Sequence, residues 1–359
     1  MTSTLAALYH GTPKELELCE LTVPELAPGE MLVRMLGCTL CGSDLHSYSG
    51  HRKVPVPTIL GHEIVGEILA LGGPGALRDL AGNELQAGDR ITWAIVASCG
   101  GCFYCQRDLP QKCLQSVKYG HEPLRSRLEL LGGLAEQVLL VRGTAALRLP
   151  ADLPLGVACP ANCATGTVAA ALEAAGELRE RIVCVLGAGM LGLTAAAMCH
   201  AAGAAAVVGV DVHAERRERM KRFGATHLAA PQDLADIAKH VTGGHGFDVI
   251  LEFTGATAAF ENAWPLARLG AKLVLVGAVF PGAPFPLAIE QLIRRNLTLV
   301  GVHNYAPRHL VRAVEFLSRH QHDYPFASLV DRWYSLSQVS EAFQAACSPQ
   351  AIRIGVKPD

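Results

Sequence analysis

Arg181-Ile-Val-Cys-Val-Leu186-Gly187-Ala-Gly189-Met190-Leu191-Gly192, continued by helix-forming residues to Ala202 and then by Ala206-Val-Val-Gly-Val210-Asp211, decides the fold of the second half of this chain. An apolar run with no polar alternation is what a parallel strand buried on both faces requires. Here the run opens into a G-x-G-x-x-G turn, and an acid closes the next apolar run nineteen residues past the last glycine. The motif alone is weak, but set between a strand and a helix and followed by that acid it specifies a dinucleotide site. Gly187, Gly189 and Gly192 let the backbone approach a pyrophosphate, whose charge rests at the helix N-terminus beside Met190 and Leu191. Asp211 is placed to accept hydrogen bonds from ribose hydroxyls and to repel a 2'-phosphate, so NAD is expected over NADP, a preference softened by Arg216 and Arg217. A strand-end cap is the structural alternative for Asp211.

Downstream, apolar runs at 248–253, 271–276 and 297–300 alternate with helical stretches at 258–269 and 289–295. Strands alternating with helices at this spacing form a doubly wound parallel sheet, whose ligand lies across the strands' C-terminal ends, near Thr254, Gly255, Gly277 and Gly301. Two further helices are expected at 308–319 and 337–346, and a last strand at 352–356.

Upstream the texture is different. Short period-two runs punctuated by Pro24, Pro28 and Gly29 predict a mostly β region over the first 150 residues, with polar loops between strands. Two clusters there carry chemistry. Cys41-Gly-Ser43-Asp44-Leu-His46, followed by Gly61-His62-Glu63, supplies a thiol, imidazoles and carboxylates, a mixed ligand set that zinc accepts. Cys99, Cys102, Cys105 and Cys113 have the spacing that closes a tetrahedral sulfur shell around a structural zinc; an iron–sulfur cluster is the chemical rival. Cys163 precedes a helix-forming stretch (168–175), where the dipole and free N–H groups favour a thiolate. Glu136, after the Gly132-Gly133 turn, is either a solvated strand residue or part of a metal's surroundings. The stretch from Leu71 to Gln86 reads as a loop with one helical turn at 76–80.

The 359 residues, half of them hydrophobic, suit two domains. A net charge of −2 without a basic stretch argues against nucleic acid or an anionic membrane as the main partner. No apolar run reaches 18 residues and no secretory leader is visible, so the twelve cysteines are expected in reduced or metal-bound form in a cytoplasmic protein.

Taken in order, the Cys-x-x-Asp-x-His stretch, Gly-His-Glu, the cysteine cluster, a cysteine before a helix and the dinucleotide fingerprint resemble the zinc-containing medium-chain dehydrogenase/reductase family, which includes the alcohol dehydrogenases. The resemblance covers nearly the whole chain. It implies an α/β protein with a GroES-like, mostly β catalytic domain at 1–164, completed by 304–359, and a Rossmann domain at 165–303. It implies two zinc ions per subunit. The catalytic one falls to Cys41, His62 and Cys163, with Glu63 as a nearby carboxylate that can exchange onto the metal and Glu136 as the alternative third ligand. Ser43 matches the hydroxyl that contacts the substrate oxygen, His46 the end of a proton relay through the cofactor ribose, and Asp44 the partner that orients His62. Thr167, Thr254, Gly277 and Arg353 would contact the cofactor, Arg353 through its phosphates. A substrate pocket would draw on Tyr48, Trp93, Ile95, Val96, Tyr119 and Phe280.

The reaction implied is reversible oxidation of an alcohol to an aldehyde or ketone, with hydride passing to NAD. A non-catalytic NAD- and zinc-binding protein on the same fold and a zinc hydrolase are the alternatives. The runs at 41–50, 89–93 and 160–165 also resemble a subgroup proposed to act in phosphonate breakdown. Family members pair through the edge of the Rossmann sheet, which points to a homodimer or homotetramer using the segment near 297–302.

Overall fold

The uninterrupted apolar runs of the second half form one parallel sheet in the computed structural model, which describes residues 2–11, 16–348 and 350–359. Its strands lie in the order His227–Ala229, Ala206–Val210, Ile182–Leu186, Phe247–Glu252, Ala267–Leu275, Thr298–Gly301. Ala206–Val210 is buried along its length, as its composition requires, whereas the edge strand Thr298–Gly301 is largely exposed. Strand order reverses beside Ile182–Leu186, so Gly187 leaves the sheet at the topological switch point, where open α/β sheets bind ligands. Cys184, Leu186, Val208, Ile250 and Leu273 belong to its apolar core.

The mostly β part holds a mixed seven-stranded sheet running Ala146–Arg148, Arg90–Trp93, Glu63–Leu71, Met31–Thr39, Arg353–Lys357 and Val330–Ser335, with Gln137–Leu140 also paired to Met31–Thr39. Smaller sheets join Leu16–Thr22, Ser3–Tyr9 and Thr58–Ile59, and Val96–Ala97 with Val117–Lys118. The C-terminal strand Arg353–Lys357 pairs antiparallel with Met31–Thr39 through Gly355–Thr39 and Val356–Cys38. This pairing carries Arg353 from the far end of the sequence to the end of the strand that leads to Cys41.

By contacts the chain divides into two units, one of Met1–Gly166, Ala306–Gln321 and Phe326–Asp359, the other of Thr167–Tyr305 and His322–Pro325. Among the described residues no single helix is long and apolar enough to cross a bilayer.

Several local expectations change. The helix expected over 258–269 ends at Ala263; Pro265 sits in a short 3-10 turn, Trp264–Leu266, and the strand begins at Ala267. Residues 76–80 form no helical turn. A bridge between Arg78 and Glu84 closes that segment, and the Asp79 carboxylate gathers the N–H groups of Ala81, Asn83 and Arg148 at 2.8–3.3 Å. Such side-chain acceptance of local N–H groups is how aspartate competes with helix formation.

Candidate active site

Cys41 ends an extended segment, and the following Gly42–Tyr48 forms a short helix within a region expected to be strands and polar loops. Its organiser is Asp44. One carboxylate oxygen, Oδ2, accepts the Cys41 N–H at 2.9 Å and so caps the helix; the other, Oδ1, accepts from Gly61 N at 3.2 Å and from His62 Nδ1 at 3.2 Å. A single buried carboxylate therefore fixes the positions of Cys41 and His62 relative to each other. With Nδ1 committed to Asp44, the lone pair of His62 Nε2 is left for a metal. Gly61 must be glycine: its φ is +87°, and a Cβ there would lie 2.8 Å from Cys38 Sγ.

Cys163 approaches from between the 3-10 turn Cys159–Asn162 and the helix Ala164–Ala175. Asn162, beside it, donates to the carbonyls of His62 and Trp93, both at 2.9 Å, tying the cysteine's segment to the strand ends that carry the other ligands. The Cys41 and Cys163 sulfurs are 3.9 Å apart. Two thiolates about 2.3 Å from one tetrahedral zinc are separated by roughly 3.8 Å, so the pair already has the spacing of a zinc centre. The donor atoms of Cys41, His62, Glu63 and Cys163 all lie within 4.8 Å of one another.

The charges of these four groups are strongly coupled. The hydrogen bond from the Cys163 thiol lowers the Cys41 thiol strongly against burial, helped by Arg353 and His62, while the Cys163 proton is held by its Cys41 neighbour and by burial. Burial disfavours the His62 imidazolium, but Asp44 and Cys41 outweigh it and push the imidazole up to about 10. A cation in this position satisfies both Asp44 and Cys41, which is the demand a zinc ion would meet. Glu63, pushed up to about 7 by burial against the pull of Arg353, accepts from Thr39 Oγ1 at 2.6 Å and from Arg353 Nε and Nη2 at 3.0 and 3.1 Å.

Two of the expected site residues have partners within the protein. Arg353, expected on the cofactor phosphates, is buried with its guanidinium on Glu63 and 3.6 Å from Cys41 Sγ. Glu136, the alternative third ligand, instead accepts the Leu5 N–H at 2.9 Å and so serves strand packing. Ser43 Oγ lies 3.4 Å from His62 Nε2, on the ligand side of the ring. His46 follows one turn later, is exposed, and sits edge-on to His51 with ring centroids 6.1 Å apart. Of the pocket residues named from sequence, Trp93 and Tyr119 are fully buried in the apolar core, Tyr119 donating or accepting at Thr144 Oγ1. Tyr48 is also buried, stacked on Phe343 at 4.4 Å.

Cys99, Cys102, Cys105 and Cys113 converge as the second metal group. Cys102 Sγ is 3.5 Å from Cys105 Sγ and 3.9 Å from Cys113 Sγ, and the N–H groups of Cys99 and Gln115 point at Cys113 Sγ from 3.3 Å. Backbone N–H groups, that of Cys105 first, pull the Cys102 thiol down to about 6, the direction a thiolate ligand needs. An ion held by all four would have every ligand position filled by sulfur, so such a site would order its loop and offer no open position for chemistry.

In the parallel-sheet unit a cavity of about 450 Å³ is lined by Gly187, Gly189, Asp211, Val212, Arg216 and Thr254, among others. Gly189 has no atom within 4 Å of where a Cβ would stand, leaving room for a phosphate at the start of the helix Met190–Ala201. Gly192 serves packing instead, since its Cβ would meet Gly187 O at 1.7 Å. Asp211 accepts from Ala188 N and His213 N, each at 2.8 Å, so it braces the glycine turn as well as facing the cavity. Thr254 is tied by its N–H and hydroxyl to Glu252 Oε1. Thr167 lies in the helix Ala164–Ala175, and Gly277 just past the strand Ala267–Leu275; neither lines the cavity.

Comparison with known proteins agrees with both halves. Residues 27–151 match the family model of the alcohol dehydrogenase GroES-like domain, and residues 191–319 that of the zinc-binding dehydrogenase. The L-threonine 3-dehydrogenase of Thermococcus kodakarensis is 31% identical over 274 residues, 74% of this chain and 72% of that one. The chain belongs to the zinc-dependent alcohol dehydrogenase family of medium-chain dehydrogenases. A 5-exo-hydroxycamphor dehydrogenase of Pseudomonas putida is 29% identical over 91% of each chain. An alcohol dehydrogenase structure from Thermotoga maritima superposes with a TM-score of 0.94 over the full length of both chains at 26% identity. Like its family, this dehydrogenase uses NAD and zinc to interconvert an alcohol and a carbonyl compound.

Proposed function

We propose that Cys41, His62 and Cys163 hold the catalytic zinc, that Glu63 is the carboxylate able to exchange onto it, and that Ser43 and His46 carry the substrate's proton away. The observation that supports this reading most is the 3.9 Å separation of two sulfurs brought together from opposite ends of the N-terminal region. When bound, zinc supplies a Lewis acid for the substrate oxygen and the nicotinamide supplies the hydride acceptor. Asp44 keeps His62 in the tautomer that presents Nε2. Arg353 and Thr39 restrain Glu63, so an ion pair rather than free rotation would decide whether it reaches a bound metal. Ser43 Oγ lies 3.4 Å from the ligand nitrogen, and His46 lies three residues on along the same short helix. Partial desolvation of the otherwise exposed ring, with the neighbouring His51, lowers the His46 imidazole from its usual value, the direction a proton acceptor needs.

The test is direct. The purified protein should reduce NAD with a panel of alcohols, and removal of zinc by a chelator should abolish turnover, with recovery on adding zinc. A protein that binds two zinc ions and NAD but oxidises no alcohol would support the non-catalytic alternative.

The edge strand Thr298–Gly301 pairs on one side only and carries Leu299, about one-third exposed; in the helix just before it in sequence, Ile289 and Ile293, one turn apart, are each about two-thirds exposed. Unpaired strand edges and such apolar faces are covered in stable proteins. A second copy of this chain is the occupant proposed, giving a homodimer or a dimer of dimers. Ile293→Asp together with Leu299→Lys should convert the assembly to a monomer on size-exclusion chromatography with light scattering. Six cysteines sit in the two metal groups and the others are free thiols, the usage of a reducing compartment, and we place the enzyme in the cytoplasm.

A further inference from the structure

Beside the catalytic metal group lies a set of basic side chains that no step above uses. The backbone N–H of Arg52 bonds to His46 O at 2.9 Å, directly after the helix that carries Ser43, and its Nη1 is 2.5 Å from His121 Nε2. His121 is buried, and its ring lies 5.2 Å from that of His62. Because His121 Nδ1 is 2.8 Å from the Tyr119 carbonyl, it carries the ring proton, and Nε2 is an acceptor for the guanidinium. The imidazole therefore steers Arg52 without adding or cancelling charge. Lys118 stands on the short strand Val117–Lys118, paired with Val96, and its ammonium is near enough to feel the charges of Arg52, Cys41 and Cys163. Both cations are half-buried, and burial weakens the charged form of each. Among the described residues no carboxylate lies within ion-pair distance of Arg52 or Lys118; Glu122 accepts only the backbone N–H of Lys118.

The charge count makes this arrangement unexpected for a neutral substrate. A bound zinc ion would balance the thiolates of Cys41 and Cys163, and Arg353 balances Glu63. Asp44 is then the one remaining buried anion to set against Arg52 and Lys118, which leaves a positive charge uncompensated. Partial burial already weakens the charged form of both side chains, and an anion arriving between them would restore it. We propose that Arg52 and Lys118 form the subsite for an oxyanion carried by the substrate, so that this dehydrogenase acts on alcohols bearing a carboxylate or phosphate-type group rather than on neutral alcohols. The reading rests on the alcohol-oxidising activity proposed above. Arg52 binds such a group through the N–H donors His121 does not use, in the forked geometry that suits carboxylate and phosphate oxygens.

Two measurements separate this inference from the activity it rests on. In the first, kcat/KM for NAD reduction is compared for 3-hydroxypropionate, 2-hydroxyethyl phosphate and propan-1-ol. The wild type should favour at least one anionic alcohol over propan-1-ol by about a hundredfold, the two anionic arms showing whether carboxylate or phosphate is the better fit. Arg52→Gln should cut that ratio at least tenfold, with Arg52→Lys recovering part of it and Lys118→Met lowering it less. A wild-type ratio near one, or a variant that slows both classes equally, overturns the subsite. In the second, zinc-loaded wild type and Arg52→Gln, matched by thermal melting, are titrated calorimetrically with 2-hydroxyethyl phosphate and with 3-hydroxypropionate. Tenfold weaker binding of either by the variant supports the subsite whether or not turnover is seen, and equal affinities for both overturn it. Arg52-dependent binding without oxidation of any alcohol would sink the activity and leave the subsite standing.

Discussion

Replacing Cys163 by serine should lower bound zinc from two ions per chain to one and remove measurable alcohol oxidation. The two metal groups share no ligand, so the four cysteines of the 99–113 loop keep their ion while the centre at Cys41 loses one of its two sulfurs. A serine hydroxyl stays protonated at neutral pH and offers zinc a weak neutral oxygen where a thiolate stood. Loss of a partner that merely orients a ligand costs roughly 10–100-fold in metal affinity or activity, and loss of the ligand itself should exceed that. Asp44→Asn gives the calibrating case: the carboxylate that holds Cys41 N–H, Gly61 N–H and His62 Nδ1 is replaced by an amide of the same shape, and the effect should fall within that lower range. Metal analysis and steady-state rates on the same preparations check both. Two zinc ions and undiminished turnover in the serine variant would remove Cys163 from the ligand set.

How far the sequence reaches is shown by these same residues. The glycine turn at 187–192, its flanking strands and the cysteine loop were legible because each is a local pattern: a run of one polarity, a fixed spacing, a turn. The ligand set was legible for a second reason, since thiols, imidazoles and acids are uncommon enough to be noticed together. The helix Gly42–Tyr48 was not, because seven mostly polar residues have no periodicity to read, and it forms around a single carboxylate. The pairing of Arg353 with Glu63 was not legible, because the two are 290 residues apart and meet only through the antiparallel pairing of the last strand. Arg52, Lys118 and His121 carried no signal at all. They meet through a two-residue strand pair and a tautomer, features that exist only once the chain is folded.

Within the glycine turn, two residues of identical type should fail for opposite reasons, and this contrast tests whether the turn is a cofactor site or only a tight connection. Gly192→Ala puts a methyl group 1.7 Å from the Gly187 carbonyl oxygen, part of the backbone and unable to move aside without separating helix from strand. Overpacking typically costs about 1–3 kcal/mol, and a clash with main chain belongs at the top of that range or above. For a unit of this size each kcal/mol shifts the midpoint by roughly 2–4 °C, so melting should fall by about 10 °C. Gly189→Ala meets no atom within 4 Å, and its φ of −79° and ψ of −172° suit alanine, so melting of the cofactor-free protein should hardly change. Its methyl group would nevertheless stand in the cavity with Asp211 and Thr254, where the dinucleotide's phosphates need to approach the backbone. A loss of about 1.4 kcal/mol there is tenfold in affinity, and NAD binding should weaken by at least that much. Calorimetric melting and fluorescence titration with NADH on both variants give the answer: a stable Gly189→Ala protein that binds NADH as tightly as the wild type would mean that the dinucleotide lies elsewhere.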